Sequence, residues 1–204
     1  MNAVVALLGA GGHARSLIGL LESCGWRIQG LYDDSFRPEA NEAICGYPLA
    51  GNSQMVPAGA QLVLAVGDNR RRAELFTRFK ARLYRDPLAH ARSFSAADVR
   101  VGAANQFFGN VFINSQVALG DNNIINTGAI IEHETCIGSH NHISVGAILC
   151  GRVGIGDFCM IGAGATVIDK VSICDNVVVG ANSTVVKDIA EPGTYVGSPA
   201  RKVR

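Results

Sequence analysis

A six-residue period constrains this chain more than any other feature of it. Stepping in sixes, Val101, Phe107, Ile113, Leu119, Ile125, Ile131, Ile137, Ile143, Leu149, Ile155, Ile161, Val167, Ile173, Val179 and Val185 are all large and apolar. Apolar residues make up about half of an ordinary chain, so such a run arises by chance roughly once in ten thousand sequences or less. The residue four positions on is commonly small or β-branched, as at Val111, Val117, Ala129, Thr135, Ala147 and Val153. Glycine often follows the aliphatic, as at Gly102, Gly120, Gly138, Gly156, Gly162 and Gly180.

A period of six is neither the 3.6 of an amphipathic helix nor the 2 of a half-exposed strand. It marks a parallel β-helix, in which each hexad supplies one short strand and one corner. Three hexads close a triangular coil of about eighteen residues, so residues eighteen apart stack at about the 4.8 Å spacing of neighbouring strands. Val101, Leu119, Ile137, Ile155 and Ile173 are therefore expected to form one inward column. Glycine and asparagine are expected to turn the corners in left-handed backbone conformations. This all-β domain is expected over residues 86–204, with uninterrupted hexads over 101–190 closing five coils.

The first 85 residues follow another pattern. Val4 to Leu8 reads as a buried strand, followed by Gly9-Ala10-Gly11-Gly12-His13-Ala14 and a helix from Arg15 to Ser23. Trp26 to Tyr32 reads as a second strand ending at Asp33-Asp34. Gln61 to Val66 reads as a third, closing on Gly67-Asp68-Asn69 ahead of a charged helix from Arg70 to about Arg82. Strands alternating with helices across glycine-rich turns predict an α/β, Rossmann-like βαβ domain over residues 1–85. Residues 35–60 carry no clear period, and 83–100 read as a linking strand and turn. Gly9, Gly11 and Ala14 satisfy G-x-G-x-x-A, with Asp33 about twenty residues on, the spacing of a dinucleotide fingerprint. Such a turn sets backbone N–H groups and a helix N-terminus where a phosphate can sit. The unit is too short for a full six-stranded dinucleotide fold, so NAD, another nucleotide diphosphate and an unliganded turn stand as alternatives.

Composition narrows the function classes. A net charge of +1 with 17% charged residues gives no ground to expect nucleic acid or a membrane surface as partner. No basic segment followed by a long apolar one opens the chain, so a cytoplasmic location is expected. The six cysteines include no C-x-x-C pair and read as small buried hydrophobes in a reducing compartment.

In Ile131-Glu132-His133-Glu134, His133 and Glu134 lie two and three residues past an inward aliphatic, near a corner of the coil. An imidazole beside a carboxylate that orients it can act as a general base; a solvated corner is the alternative reading. His142 lies nine residues on, half a coil, hence on the opposite side of the prism. If both serve one site, they come from different chains, and a cyclic trimer suits a three-sided prism. A metal site from His133, His140 and His142 conflicts with the same geometry within one chain.

Five elements together resemble the bacterial nucleotide-sugar N-acetyltransferases of the left-handed β-helix (hexapeptide repeat) family. They are the Gly-Ala-Gly-Gly-His-Ala start, Asp33-Asp34, Gly67-Asp68-Asn69, Asn126 ahead of Ile-Glu-His-Glu, and Val196-Gly197-Ser198-Pro199-Ala200-Arg201. The resemblance covers nearly the whole chain and is closest to the bacillosamine-pathway enzymes that acetylate a UDP-4-amino-4,6-dideoxy sugar. Perosamine N-acetyltransferases and sialic acid O-acetyltransferases are similar. The resemblance implies a left-handed coil, acetyl-CoA as co-substrate, no metal, and a homotrimer with sites between subunits. It assigns His133 as general base with Glu134 as its support. It places His142, Gly151, Ala163, Gly180, Arg201 and Lys202 at acetyl-CoA, with the Gly151 N–H facing the thioester oxygen and Arg201, Lys202 and Arg204 near the phosphates. Gly11, Gly12, His13, Asp33, Asp34, Gly67 and Asn126 fall to the nucleotide sugar, Asn126 on the same side as His133. The family's His-Pro ahead of the β-helix is replaced by Asp86-Pro87. An O-acetyltransferase, a GDP-perosamine-type N-acetyltransferase and a non-catalytic nucleotide-binding module are the alternatives.

Overall fold

In a computed structural model describing residues 4–203, the chain divides between Arg85 and Asp86 into two compact units. The N-terminal unit contains β1 (Val4–Leu8), α1 (Gly12–Ser23), β2 (Arg27–Tyr32), β3 (Ala43–Ile44), β4 (Tyr47–Gly51), β5 (Gln61–Leu64) and α2 (Asn69–Arg78). One sheet runs in the order β3-β4-β2-β1-β5, parallel throughout except for the β3–β4 hairpin. Strand β1 is internal, paired on both sides by β2 and β5, which is why it reads as an unbroken apolar run: Val5, Ala6 and Leu7 are fully buried. Helix α1 buries Ala14, Leu17, Ile18, Leu20 and Leu21. The hairpin fills the stretch without a sequence period. Its strands are two and five residues long, one holds Pro48, and Cys45 and Gly46 turn it at φ of 49° and 84°.

The C-terminal unit is a left-handed parallel β-helix whose three faces carry six, five and eight strands. The expected column holds: Val101 pairs with Leu119, Leu119 with Ile137, Ile137 with Ile155, and Ile155 with Ile173. Together with the aliphatics of the other two faces these residues form one continuous core. The coil starts earlier than the hexads show. Leu88–Ala89 pairs with Gln106–Phe107, and Phe94–Ser95 with Phe112–Ile113. Ala89 and Ser95 occupy positions that are large and aliphatic higher up, so the period is silent there. At the other end, Gly193–Val196 extends the eight-stranded face and turns back antiparallel against Arg201–Lys202.

The corners differ from expectation in one respect. The left-handed residue is not the glycine after the aliphatic; it lies two residues later, and it recurs every six residues from Ala104 to Asn182. Asn110, Gly128, Gly146, Gly164 and Asn182 form one corner column. Gln116, Glu134, Arg152 and Lys170 form the second, and Ala104, Asn122, His140, Phe158 and Asn176 the third. Glycines such as Gly102, Gly120 and Gly138 serve close approach instead. A Cβ on Gly120 would lie 2.7 Å from the Gly138 carbonyl oxygen of the next coil. Beside that glycine stack runs a buried asparagine ladder. The Oδ1 atoms of Asn105, Asn123 and Asn141 accept from the backbone N–H groups of Asn123, Asn141 and Cys159 at 3.0, 2.8 and 2.6 Å. The ladder satisfies backbone donors at a corner where no strand partner reaches them.

Candidate active site

Two constellations stand out, one in each unit. In the N-terminal unit a cleft of about 470 Å³ is lined by Gly11, Gly12, His13, Asp33, Asp34, Gly67 and Arg71, among others. It lies at the C-terminal ends of β1, β2 and β5, where parallel sheets take their ligands. Gly9 has φ of 115°, and a Cβ there would meet the Ala65 carbonyl oxygen at 2.6 Å, so only glycine admits this turn. A Cβ on Gly11 or Gly12 would meet nothing within 4 Å; these two leave open space ahead of α1.

Asp33 braces the glycine turn. Its Oδ2 accepts from the Ala10 N–H at 2.9 Å, and its Oδ1 accepts from the backbone N–H and hydroxyl of Ser35 at 2.9 and 2.7 Å. Asp34 accepts from the Ser53 N–H at 3.1 Å and pairs with Arg71 at 2.7 Å. The Ser53 hydrogen bonds and the Arg71 charge hold its carboxyl below the ordinary carboxylate range, against the opposing effect of burial. Beneath the Gly67 turn lies Arg72, fully buried, donating to the Gly67 carbonyl at 3.0 Å and to Asn69 Oδ1 at 2.9 Å. Burial pushes its guanidinium down to about 10.

In the β-helix the corner between the six- and five-stranded faces carries His133 and Glu134, with Nδ1 of the imidazole 3.0 Å from Glu134 Oε2. Read as an Nδ1–H donor, this bond leaves Nε2 as the open acceptor. Gly151 stands one coil above: the Arg152 N–H donates to the His133 carbonyl at 2.8 Å, and a Cβ on Gly151 would lie 2.8 Å from His133 Nε2. Among the described residues the Gly151 N–H has no protein acceptor. Arg152 reaches both Glu134 and Asp169, the latter at 2.9 Å.

His142 lies on the eight-stranded face, the one that does not meet the corner of His133, so the two histidines are on opposite sides of the prism. Asn126 is not beside His133. It opens the corner at the other end of the six-stranded face, 3.2 Å from His142 Nε2, because an offset of seven residues moves a side chain to a different corner. His140 stacks on Phe158 with ring centroids 5.0 Å apart and lies 2.9 Å from Asn122. The three histidines therefore have separate surroundings, and the described residues contain no group of three His, Cys, Asp or Glu able to hold a metal. Ala163 and Gly180 lie at the corner that follows the eight-stranded face, the Gly180 N–H donating to the Tyr195 carbonyl at 2.8 Å. At the end of that face Lys202 pairs with Glu191 at 2.9 Å, Arg201 is exposed, and Arg204 lies outside the described residues. Arg152 and Asp169 were not legible from motifs; stepping by eighteen from Glu134 and by thirty-six from His133 reaches them.

Two family models match separate stretches of the chain. Residues 4–79 match the PglD N-terminal domain family, and residues 152–187 match the bacterial transferase hexapeptide family. PerB from Caulobacter crescentus, solved with CoA and GDP-perosamine, is 30% identical over 100% of this chain and 98% of its own, with a TM-score of 0.90. The chain belongs to the nucleotide-sugar N-acetyltransferases of the left-handed β-helix class. The acetyltransferase is also 27% identical to the acetyltransferase domain of PglB from Neisseria gonorrhoeae FA1090, solved with acetyl coenzyme A, over 100% of both chains at a TM-score of 0.90. WeeI from Acinetobacter baumannii AYE, at 16% identity and a TM-score of 0.67 over 99% of this chain and 100% of its own, shares the fold. No curated protein matches the acetyltransferase. Among its described residues no helix is long and apolar enough to cross a membrane.

Proposed function

We propose that the protein transfers the acetyl group of acetyl-CoA directly to the amino group of a nucleotide-linked amino sugar, a UDP-4-amino-4,6-dideoxy sugar in the first instance, with His133 as general base. The observation that carries this reading is the His133–Glu134 pair lying against Gly151. As the amine nitrogen attacks the thioester carbonyl, Nε2 of His133 takes its proton. The oxyanion accepts a hydrogen bond from the Gly151 N–H, which has no protein acceptor of its own. Collapse of the tetrahedral intermediate expels the CoA thiolate, which takes the proton back from the imidazolium. Glu134 fixes the ring so that Nε2 faces the reaction.

The N-terminal cleft holds the nucleotide in this reading, its open Gly11–Gly12 turn taking the diphosphate and Asp33 and Asp34 the nucleoside side. Acetyl-CoA meets His142, Ala163, Gly180, Arg201 and Lys202, while Asn126 acts beside His142. Because His133 and His142 are on opposite sides of one prism, a shared site takes them from two chains, and the assembly is a homotrimer in the cytoplasm.

The test is a thiol-release assay with acetyl-CoA against UDP-, GDP- and CMP-linked amino sugars and their hydroxyl counterparts. Release with amines, and a fall of roughly 10²-fold or more in His133→Ala with folding intact, is the expected result. Near-normal turnover in His133→Ala sinks the assignment of the base. A monomeric mass in solution contradicts the shared site.

A further inference from the structure

We infer that Arg152 is a positioning residue for the acetyl transfer, holding Glu134 in line with the His133 ring and itself anchored by Asp169. The inference rests on His133 being the base. Its first support is register. Arg152 stands one coil of eighteen residues above Glu134, and Asp169 one coil above Gly151 at the same corner. The signs alternate up this corner from Glu134 through Arg152 and Asp169 to Lys170, so each charge faces an opposite one.

The second support is geometry. Arg152 Nη2 lies 2.9 and 3.1 Å from the two carboxylate oxygens of Asp169. Its Nη1 lies 3.7 Å from Glu134 Oε2, the same oxygen that lies 3.0 Å from His133 Nδ1. An exposed ion pair that only joins two surface side chains does little. With Nη2 shared between both oxygens of one carboxylate, Arg152 is tethered at that nitrogen, and its Nη1 is left in the direction of Glu134. Here that direction leads to the carboxylate that orients the imidazole. With about 46% of its side chain exposed, Glu134 would otherwise sample several rotamers, most of them off the ring.

Gln116, Glu134, Arg152 and Lys170 all take φ near 60° at this corner. The corner preceding the six-stranded face fills the same conformation only with Asn110, Gly128, Gly146, Gly164 and Asn182, the residue types that adopt it most readily. Ala104, His140 and Phe158 take the same conformation at the third corner, so it fixes where the side chains of Glu134 and Arg152 start from without itself marking them for use.

The test measures kcat and both KM values with acetyl-CoA and whichever of a UDP-4-amino-4,6-dideoxy sugar and GDP-perosamine turns over faster. Arg152→Gln is expected to lower kcat by about tenfold with both KM values within about twofold, because orientation of the base is lost and binding is not. Arg152→Lys recovers part of the loss. In a Glu134→Gln background Arg152→Gln has no further effect, since there is no carboxylate left to position. An unchanged kcat in Arg152→Gln alongside a collapse in His133→Ala overturns this inference and leaves the base in place. So does a fall in kcat that persists undiminished in the Glu134→Gln background, which marks a merely structural role. Near-normal turnover in His133→Ala, or turnover of neither acceptor, overturns the proposed mechanism and this inference with it.

Discussion

Replacing Gly151 by alanine isolates the geometry of the site from its chemistry. Gly151 lies outside the positive-φ region, so alanine fits the backbone without strain. Its new Cβ would lie 2.6 Å from His133 Cε1, 2.8 Å from Nε2 and 3.1 Å from Asp169 Oδ1. Relaxed carbon contacts begin near 3.5 Å, so the imidazole must retreat by about 0.9 Å. The ring is free to do so, since about 43% of its side chain is exposed, and the retreat stretches the 3.0 Å contact with Glu134. Gly151 is buried, but its Cβ would press on the free end of a movable ring and Gly→Ala also restrains the unfolded chain, so folding is expected to change by no more than about 0.5 kcal/mol. Displacing a reacting group by about 1 Å costs on the order of 10²-fold in rate. The expected result is therefore a kcat lowered by about 10²-fold at unchanged stability, read by continuous thiol release from acetyl-CoA beside a urea melt. A kcat within about threefold of the parent would refute the argument, because His133 would then be working from a place the structure does not give it.

Three further outcomes follow from burial. Asn123 bridges coils through Nδ2 to the Gly120 and Gly138 carbonyls at 3.2 and 2.9 Å, and through Oδ1 to the Asn141 N–H. Asn123→Ala leaves these groups unsatisfied and is expected to cost about 2–4 kcal/mol in urea unfolding; a loss under about 0.5 kcal/mol would show the ladder to be redundant. Arg72→Leu removes the donors that hold the Gly67 carbonyl and Asn69, and is expected to cost about 3–5 kcal/mol and to abolish nucleotide binding, as followed by thermal melts and calorimetry. Retention of both would remove Arg72 from the support of the cleft. Burial pushes the Cys159 thiol up to about 11. At pH 8 the folded protein should alkylate at exposed Cys45 and spare Cys159 until it unfolds, by mass spectrometry. Because this acid's pKa is raised on folding, stability should fall as pH rises from about 9 towards 11, and a flat profile there in the parent would contradict it.

The β-helix was legible because its interior accepts one kind of side chain at one spacing. Ile131 and Leu149 must be large and aliphatic wherever a coil is closed above and below. At the ends that requirement lapses. Ala89 and Ser95 open the prism unannounced, and the strand holding Tyr195 pairs with Val179 sixteen residues back instead of eighteen. The β3–β4 hairpin was hidden for a different reason, since a two-residue strand beside a five-residue strand that holds Pro48 leaves no room for a period. Of the site, His133 and Glu134 showed themselves as neighbours in sequence. Arg152 and Asp169 are neighbours only through the coil, and Asn126 shows the converse: close to His133 in sequence, it points from another corner. The corner glycines were misread because two demands, room for the next coil and a left-handed turn, fall on different residues of the same hexad.

In a coil that repeats its own path, height along the axis and bearing around it are independent coordinates. His133, Gly151 and Asp169 share a bearing and differ in height, so chemistry at one level can be altered by a single substitution that leaves the levels above and below intact. Length is equally separable. Inserting one whole coil above Asp169 would carry the terminal Gly193–Lys202 hairpin about 4.8 Å further from His133 without moving a core residue out of its column. The reach between the base and whatever that hairpin grips is then set in whole strand spacings, and a longer or shorter reach is obtained by adding or deleting coils with the interior left as it is.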